Sequence, residues 1–140
     1  MKCLIDTCVI SELTKRSPDK NVASWISNQQ EENLFLSVLT IGELEKGIAK
    51  LKNDRRQQRL REWVDHALKD RFHGRVLPFD YEVASRWGLI SGQAEAAGKP
   101  MPVIDAMIAA TALLHGLTLI TRNTQDVAPS NVPIVNPWTL

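Results

Sequence analysis

Thiol chemistry has little to work with in this chain. Its 140 residues include two cysteines, Cys3 and Cys8, too few for a disulfide framework or a tetrahedral zinc site. Read as parts of one apolar extended segment, their side chains would face opposite sides of a strand as buried, reduced thiols. The three histidines, His66, His73 and His115, have no ligand spacing to either cysteine. An excess of one charge is also missing. With 17 basic and 16 acidic residues the net charge is +1, which excludes a histone-like polyelectrolyte and confines any nucleic-acid binding to a local surface. No apolar run reaches the roughly 18 residues of a membrane span. The N-terminal Leu4-Ile5 meets a charge at Asp6 too early for a secretory signal, so the expected location is the cytoplasm, with no membrane contact. Glycine-rich phosphate loops, a Gly-x-Ser-x-Gly elbow, internal repeats and low-complexity tracts are all absent.

What the chain does have is alternation. Hydrophobic residues make up 44% of it, enough for one domain spanning residues 1–140 with a real core. Short apolar runs suited to buried strands occur at 2–5, 34–37, 75–77, 117–121 and, more weakly, 133–135. Stretches with helical spacing lie between them, at 7–14, 22–28, 41–51, 55–72, 81–97 and 103–115, the last closed by Gly116. In the 55–72 stretch Leu60, Trp63, Val64, Ala67, Leu68 and Phe72 form one apolar stripe. This order predicts an α/β fold, a three-layer α/β/α sandwich around a mainly parallel sheet of about five strands.

Three acids fall where apolar segments meet helix starts: Asp6 after the first strand, Glu43 after the second, and Asp105 ahead of Ala106 to Leu114. Each has an ordinary structural role open to it. Asp6 suits a helix N-cap, Thr40 and Glu43 match a capping box, and Asp105 suits a first helical turn. Together they fall at the carboxyl edge of a parallel sheet, where such folds gather ligands. Like charges about 4 Å apart cost roughly 4 kcal/mol at an effective dielectric of about 20, so a cluster there must protonate or bind a cation. All-oxygen donors favour Mg²⁺ or Mn²⁺ over zinc and imply a phosphate-ester substrate. Thr121-Arg122-Asn123-Thr124-Gln125-Asp126 leaves a further strand at the same edge and offers a fourth acid.

Basic residues gather from Lys46 to Arg61, among them Lys50, Arg55, Arg56 and Arg59. Interspersed Asp54 and Glu62 fit a solvated helix face, whereas the start of the run beside Glu43 fits a track for a nucleic-acid backbone. Lys46, one turn beyond Glu43, is best placed to reach a substrate phosphate, followed by Lys50 and Arg55. The four tryptophans, Trp25, Trp63, Trp87 and Trp138, read as core or interface filling.

Leu4-Ile5-Asp6-Thr7-Cys8-Val9-Ile10-Ser11-Glu12-Leu13, the segment from Ser37 to Gly47, Val103-Ile104-Asp105-Ala106-Met107-Ile108-Ala109-Ala110-Thr111-Ala112 and Leu119-Ile120-Thr121-Arg122-Asn123 together resemble the PIN domain. More narrowly, the chain is similar to toxin ribonucleases of the VapC and FitB type, and the resemblance spans nearly its whole length. It implies a Mg²⁺- or Mn²⁺-dependent endoribonuclease that acts on RNA, is held inactive by a cognate DNA-binding antitoxin and forms a homodimer. On the matching positions, Asp6, Glu43 and Asp105 would be both the catalytic acids and the metal ligands. Thr7 and Thr121 would hold the carboxylates in place. Two positions depart from the family pattern. Asn123 stands where an acid is common, which shifts the fourth catalytic acid to Asp126, with Asn123 itself in a supporting place. Cys8 stands where the motif commonly reads Asn, which removes a polar contact. The missing acid keeps a second expectation open, a catalytically weakened RNA- or protein-binding module on the same fold. A DNA-directed nuclease is disfavoured, because the insertions that a duplex-threading enzyme needs are absent.

Overall fold

The computed structural model describes residues 1–140. Five strands, β1 (Cys3–Ile5), β2 (Leu34–Ser37), β3 (Val76–Leu77), β4 (Thr118–Ile120) and β5 (Ile134–Val135), form one sheet in the order β3-β2-β1-β4-β5. Every neighbouring pair is parallel, with Leu4 opposite Phe35 on one side and Leu119 on the other. The chain leaves β1 for β2 and β3 on one flank and returns to β4 and β5 on the other. The carboxyl end of β1 is therefore the topological switch point, where helices diverge and leave a crevice.

Strand alternation divides the core between the two faces. Cys3, Ile5, Leu34, Leu36 and Ile120 pack on one face against α1 (Thr7–Leu13), α2 (Lys20–Ser27) and α3 (Val38–Ala49). Further along the chain, α4 (Asp54–Glu62) runs through a π-helical stretch, Trp63–Leu68, into α5 (Lys69–Arg71) and adds Val64, Leu68 and Phe72 to that face. Leu4 and Leu119 point the other way, onto Ile108, Ala109 and Ala112 of α7 (Val103–His115). The outer side of α7 is covered by α6 (Tyr81–Ala96) through Val83, Ile90 and Ala110. The short α8 (Thr124–Val127) follows β4. Leu4 and Ile5 are fully buried on opposite faces of the central strand. Truncating either to Ala would cost about 2–5 kcal/mol through lost burial and a residual cavity.

The expected three-layer arrangement is present, and several boundaries move for local reasons. α3 begins at Val38, three residues ahead of the expected start, because the Ser37 hydroxyl caps it by accepting from the Leu39 amide. Thr40 is thus inside the helix and fully buried, so the Thr40–Glu43 capping box does not form. α2 starts at Lys20 because Asp19 accepts from the Asn21 and Val22 amides. Cys8 belongs to α1 and not to an extended segment, and both thiols are free. In the 54–71 helix the π-helical turns keep Val64, Leu68 and Phe72 inward at four-residue spacing while Ala67 rotates out to solvent. α7 ends as expected, at Gly116 in the left-handed region with φ of 65°. No helix is long and apolar enough to cross a membrane.

Candidate active site

Asp6 leaves β1 and caps α1. Its backbone amide bonds to the Ile120 carbonyl of the adjacent strand at 2.9 Å, which fixes the residue at the switch point. One carboxylate oxygen, Oδ1, accepts from the Thr7 amide at 2.8 Å, while Oδ2 accepts from the Thr121 hydroxyl at 2.6 Å. The N-cap and the site are thus one residue, because the same carboxylate that satisfies a helix N–H also faces the edge. Thr7 then reaches across to α3, where its hydroxyl donates to Glu43 Oε1 at 2.6 Å. Thr40 Oγ1 lies 3.0 Å from the same hydroxyl. Thr40 was legible in the sequence only as half of a capping box. Its place beneath Thr7 follows from the earlier start of α3.

Asp105 sits in the first turn of α7, half-buried, and is the strongly perturbed acid of the molecule. Burial, then the negative charges of Asp6, Asp126 and Glu43, push its carboxyl up to about 6. All four acids therefore act on one region of space, including the exposed Asp126 on α8. Asn123 contributes to the site through its backbone, whose amide donates to Thr121 Oγ1 at 3.0 Å, and its side chain makes no cap bond. The Cys8 substitution does not remove a polar contact. Its thiol lies 3.5 Å from Asp6 Oδ2 and 3.6 Å from Thr121 Oγ1. Burial and the nearby Asp6 charge hold that thiol at about 11, so it stays protonated and can donate.

A cavity of about 600 Å³ opens beside Glu43, lined by Lys46, Lys50, Val38 and Ile104 among others. Lys46 and Lys50 thus share a cavity with Glu43. Arg55 lies exposed on α4, and its neighbour Arg56 shares a second cavity with Glu43. Arg61 is paired with Glu45 at 2.9 Å, which withdraws it from the basic run. All four tryptophans are half-buried against the core clusters, and the Arg122 guanidinium stacks 5.0 Å above the Trp138 ring.

The PIN domain model matches residues 3–128. The chain belongs to the PIN domain family. It is 38% identical to Toxin FitB of Neisseria gonorrhoeae over 135 residues, covering 96% of this chain and 97% of that protein. It is 37% identical to VapC ribonuclease Y4jK of Sinorhizobium fredii, with 96% of each chain covered. Among solved structures, FitAcB from Neisseria gonorrhoeae superposes with a TM-score of 0.94 at 38% identity, covering 99% of both chains.

In this PIN domain the acids suit a hard cation without forming a finished cage. No three His, Cys, Asp or Glu side chains close on a common point. Mg²⁺ is ordinarily held by one or two carboxylates together with water and substrate phosphate, so a complete protein cage is not required. The donors are oxygens, Cys8 keeps its proton, and Asp105 is raised by burial and by the negative charges of Asp6, Asp126 and Glu43. That field is what a divalent ion neutralises, and the residues fit one.

Proposed function

We propose that this chain is an endoribonuclease that hydrolyses RNA phosphodiester bonds with Mg²⁺ or Mn²⁺, acting in the cytoplasm as the toxin of a toxin–antitoxin pair. The carrying observation is the hydrogen-bonded chain that joins Asp6 at the end of β1 to Thr121 after β4 and, through Thr7, to Glu43 on α3, with the raised carboxyl of Asp105 beside it. Membership of the PIN family and the ribonuclease and toxin names of its relatives supply the reaction class.

Asp6 and Asp105 would hold the cation, with Glu43 completing the set directly or through water. Once bound, the ion would acidify a water and screen charge growing on the phosphate. Thr121 and the Thr7 amide fix the Asp6 carboxylate, so it need not reorganise as substrate enters. Glu43, anchored by Thr7, is placed to orient the water whose oxygen attacks phosphorus as the P–O bond to the leaving nucleotide breaks. Lys46 and Lys50 would hold the flanking backbone. Asp126 would supply the fourth negative charge in place of an acid at Asn123.

A DNA-binding antitoxin is the expected protein partner, since relatives have been solved as FitAcB and as FitAB bound to a DNA fragment. A second copy of the chain is also expected, and light scattering on the purified protein would test it. Residues 1–140 are treated as one nuclease domain, because β1 and β5, near opposite ends of the chain, share one sheet. Incubating the purified chain with single-stranded RNA tests the activity directly. Cleavage in Mg²⁺ or Mn²⁺ that EDTA stops, and that Asp6→Asn removes while circular dichroism stays unchanged, is the expected result. Cleavage at the parent's rate by both Asp6→Asn and Asp105→Asn would sink the proposal.

A further inference from the structure

Away from the acids, the end of α6, the 97–102 loop and the α8 region enclose a groove of about 690 Å³. Its polar lining is unusual in kind: three carboxamides, Gln93, Gln125 and Asn131, and a single charge, Lys99. Three other glutamines donate within the protein, Gln29 to the Trp25 carbonyl, Gln57 to the Ile48 carbonyl and Gln58 to Glu62. The groove amides are exposed and donate to no protein acceptor. Asn131 is also the one non-glycine residue with positive φ, at 61°, a backbone conformation that sets the direction in which its side chain leaves the chain.

The position is as informative as the chemistry. Gln125 precedes Asp126, and it also lines a smaller cavity of about 280 Å³ shared with Asn123 and Asp126. The 97–102 loop leads into the first turn of α7, which carries Asp105. The groove therefore adjoins the Asp105–Asp126 side of the site, whereas Lys46 and Lys50 lie beside Glu43. Its volume falls within the range of about 300–1,000 Å³ that accommodates a small organic group. No aromatic ring lines it, so recognition would depend on hydrogen bonds to an edge and not on stacking.

We infer that this groove receives one unpaired nucleobase of the RNA strand next to the scissile phosphate, read by Gln93, Gln125 and Asn131, with Lys99 on the adjoining phosphate. A carboxamide presents a donor and an acceptor side by side, and for a base entering by its N7 edge adenine alone offers the complementary pair, the N6 amino group beside the N7 acceptor. Adenine is thus the base expected there. The inference rests on the ribonuclease reading and supplies its sequence preference.

The test separates the two. Binding of labelled single-stranded RNA hexamers, varied at one position, is measured by anisotropy with the purified full chain in EDTA, where cleavage is off. Cleavage of a mixed RNA pool in Mg²⁺ is followed in parallel. The parent is expected to favour adenine by about tenfold over the weakest base. Gln93→Glu together with Gln125→Glu keeps the shape but removes two sets of amide donors, and is expected to shift preference toward cytosine, whose amino group a carboxylate accepts. Lys99→Ala should weaken all hexamers equally. Hexamers that fail to bind, bind without base preference, or keep an unchanged preference in the double variant would overturn the groove assignment. So would loss of antitoxin affinity in the double variant with base preference intact, which would give the groove to a protein partner. Base preference in EDTA without cleavage in Mg²⁺, or in Mn²⁺ added in its place, would instead overturn the ribonuclease reading and leave the groove standing.

Discussion

Asp6 and Glu43 are clamped, while Asp105 and Asp126 are free. The first pair sits on the β1–β2 side, tied by Thr121 and Thr7 through hydrogen bonds of 2.6 Å. The second pair lies on α7 and α8, where burial and neighbouring charge alone perturb Asp105 and Asp126 is exposed. One half of the site is therefore organised before any ligand arrives, and the other half holds stored repulsion that a cation can relieve. The difference assigns a rigid role to one side and a responsive role to the other. Preorganised dipoles need not reorganise at the reacting centre, whereas unrelieved charge strengthens the pull on an incoming ion.

Removing either half should abolish turnover, and the two losses should differ in stability. Asp6→Asn and Asp105→Asn are each expected to lower RNA cleavage on the order of a thousandfold or more in single-turnover assays. Metal-free Asp105→Asn should melt above the parent at pH 7, whereas Asp6→Asn should melt below it. Melting shifts of the same sign would break the division. Loosening the clamp comes next: Thr121→Val should weaken divalent-ion affinity by about 10–100-fold, read by calorimetry. Lys46→Ala or Lys50→Ala should weaken RNA of every sequence alike. Each should reduce the slope of log affinity against log salt by about 1 in binding titrations.

Smaller effects probe the free half more finely. Asp105 has a folded pKa of about 6 against an ordinary 3.8, so the folded state holds this proton the more tightly. That contribution is fully present below pH 3.8 and is lost as pH rises through 6. Asp105→Asn should accordingly gain on the order of 1 kcal/mol over the metal-free parent at pH 7, after solvent screening. Denaturant melts at pH 4 and pH 7 would show the gain only at the higher pH, and saturating Mg²⁺ should erase it by stabilising the parent. Smallest of all, Asn123→Asp should leave cleavage nearly unchanged, because Asp126 already supplies negative charge there. A large gain in initial rate would show the parent to be a weakened enzyme.

Much of this site was legible from residue order. Acids following buried strands in a parallel α/β pattern must arrive at the carboxyl edge, which is where Asp6 and Glu43 lie. Within the basic run from Lys46 to Arg61 composition showed the charges but not their surroundings. Arg61 finds Glu45 across the α3–α4 packing, and Arg55 faces solvent, outcomes set by helix orientation and not by composition. The capping box at Thr40 and Glu43 was a local pattern defeated by a better local competitor, Ser37, three residues earlier at the end of β2. The consequence is a buried Thr40 under Thr7. Cys8 shows the reverse case, where a substitution that read as a lost contact places a protonated thiol against Asp6.

Legible in the sequence alone were the order of strands and helices, the apolar faces of the sheet, and Asp6 and Asp105 at the ends of elements, whereas Glu43 lies inside α3. These follow from periodicity, capping and the chemistry of single residues, which are local. Only the tertiary structure decided which acids are clamped and which are free. It also set the partner of each threonine hydroxyl and brought Asp126 within the field of Asp105. Those outcomes depend on distances between groups as many as 115 positions apart, as in the bond from Thr121 to Asp6, and such distances exist only once the sheet has closed.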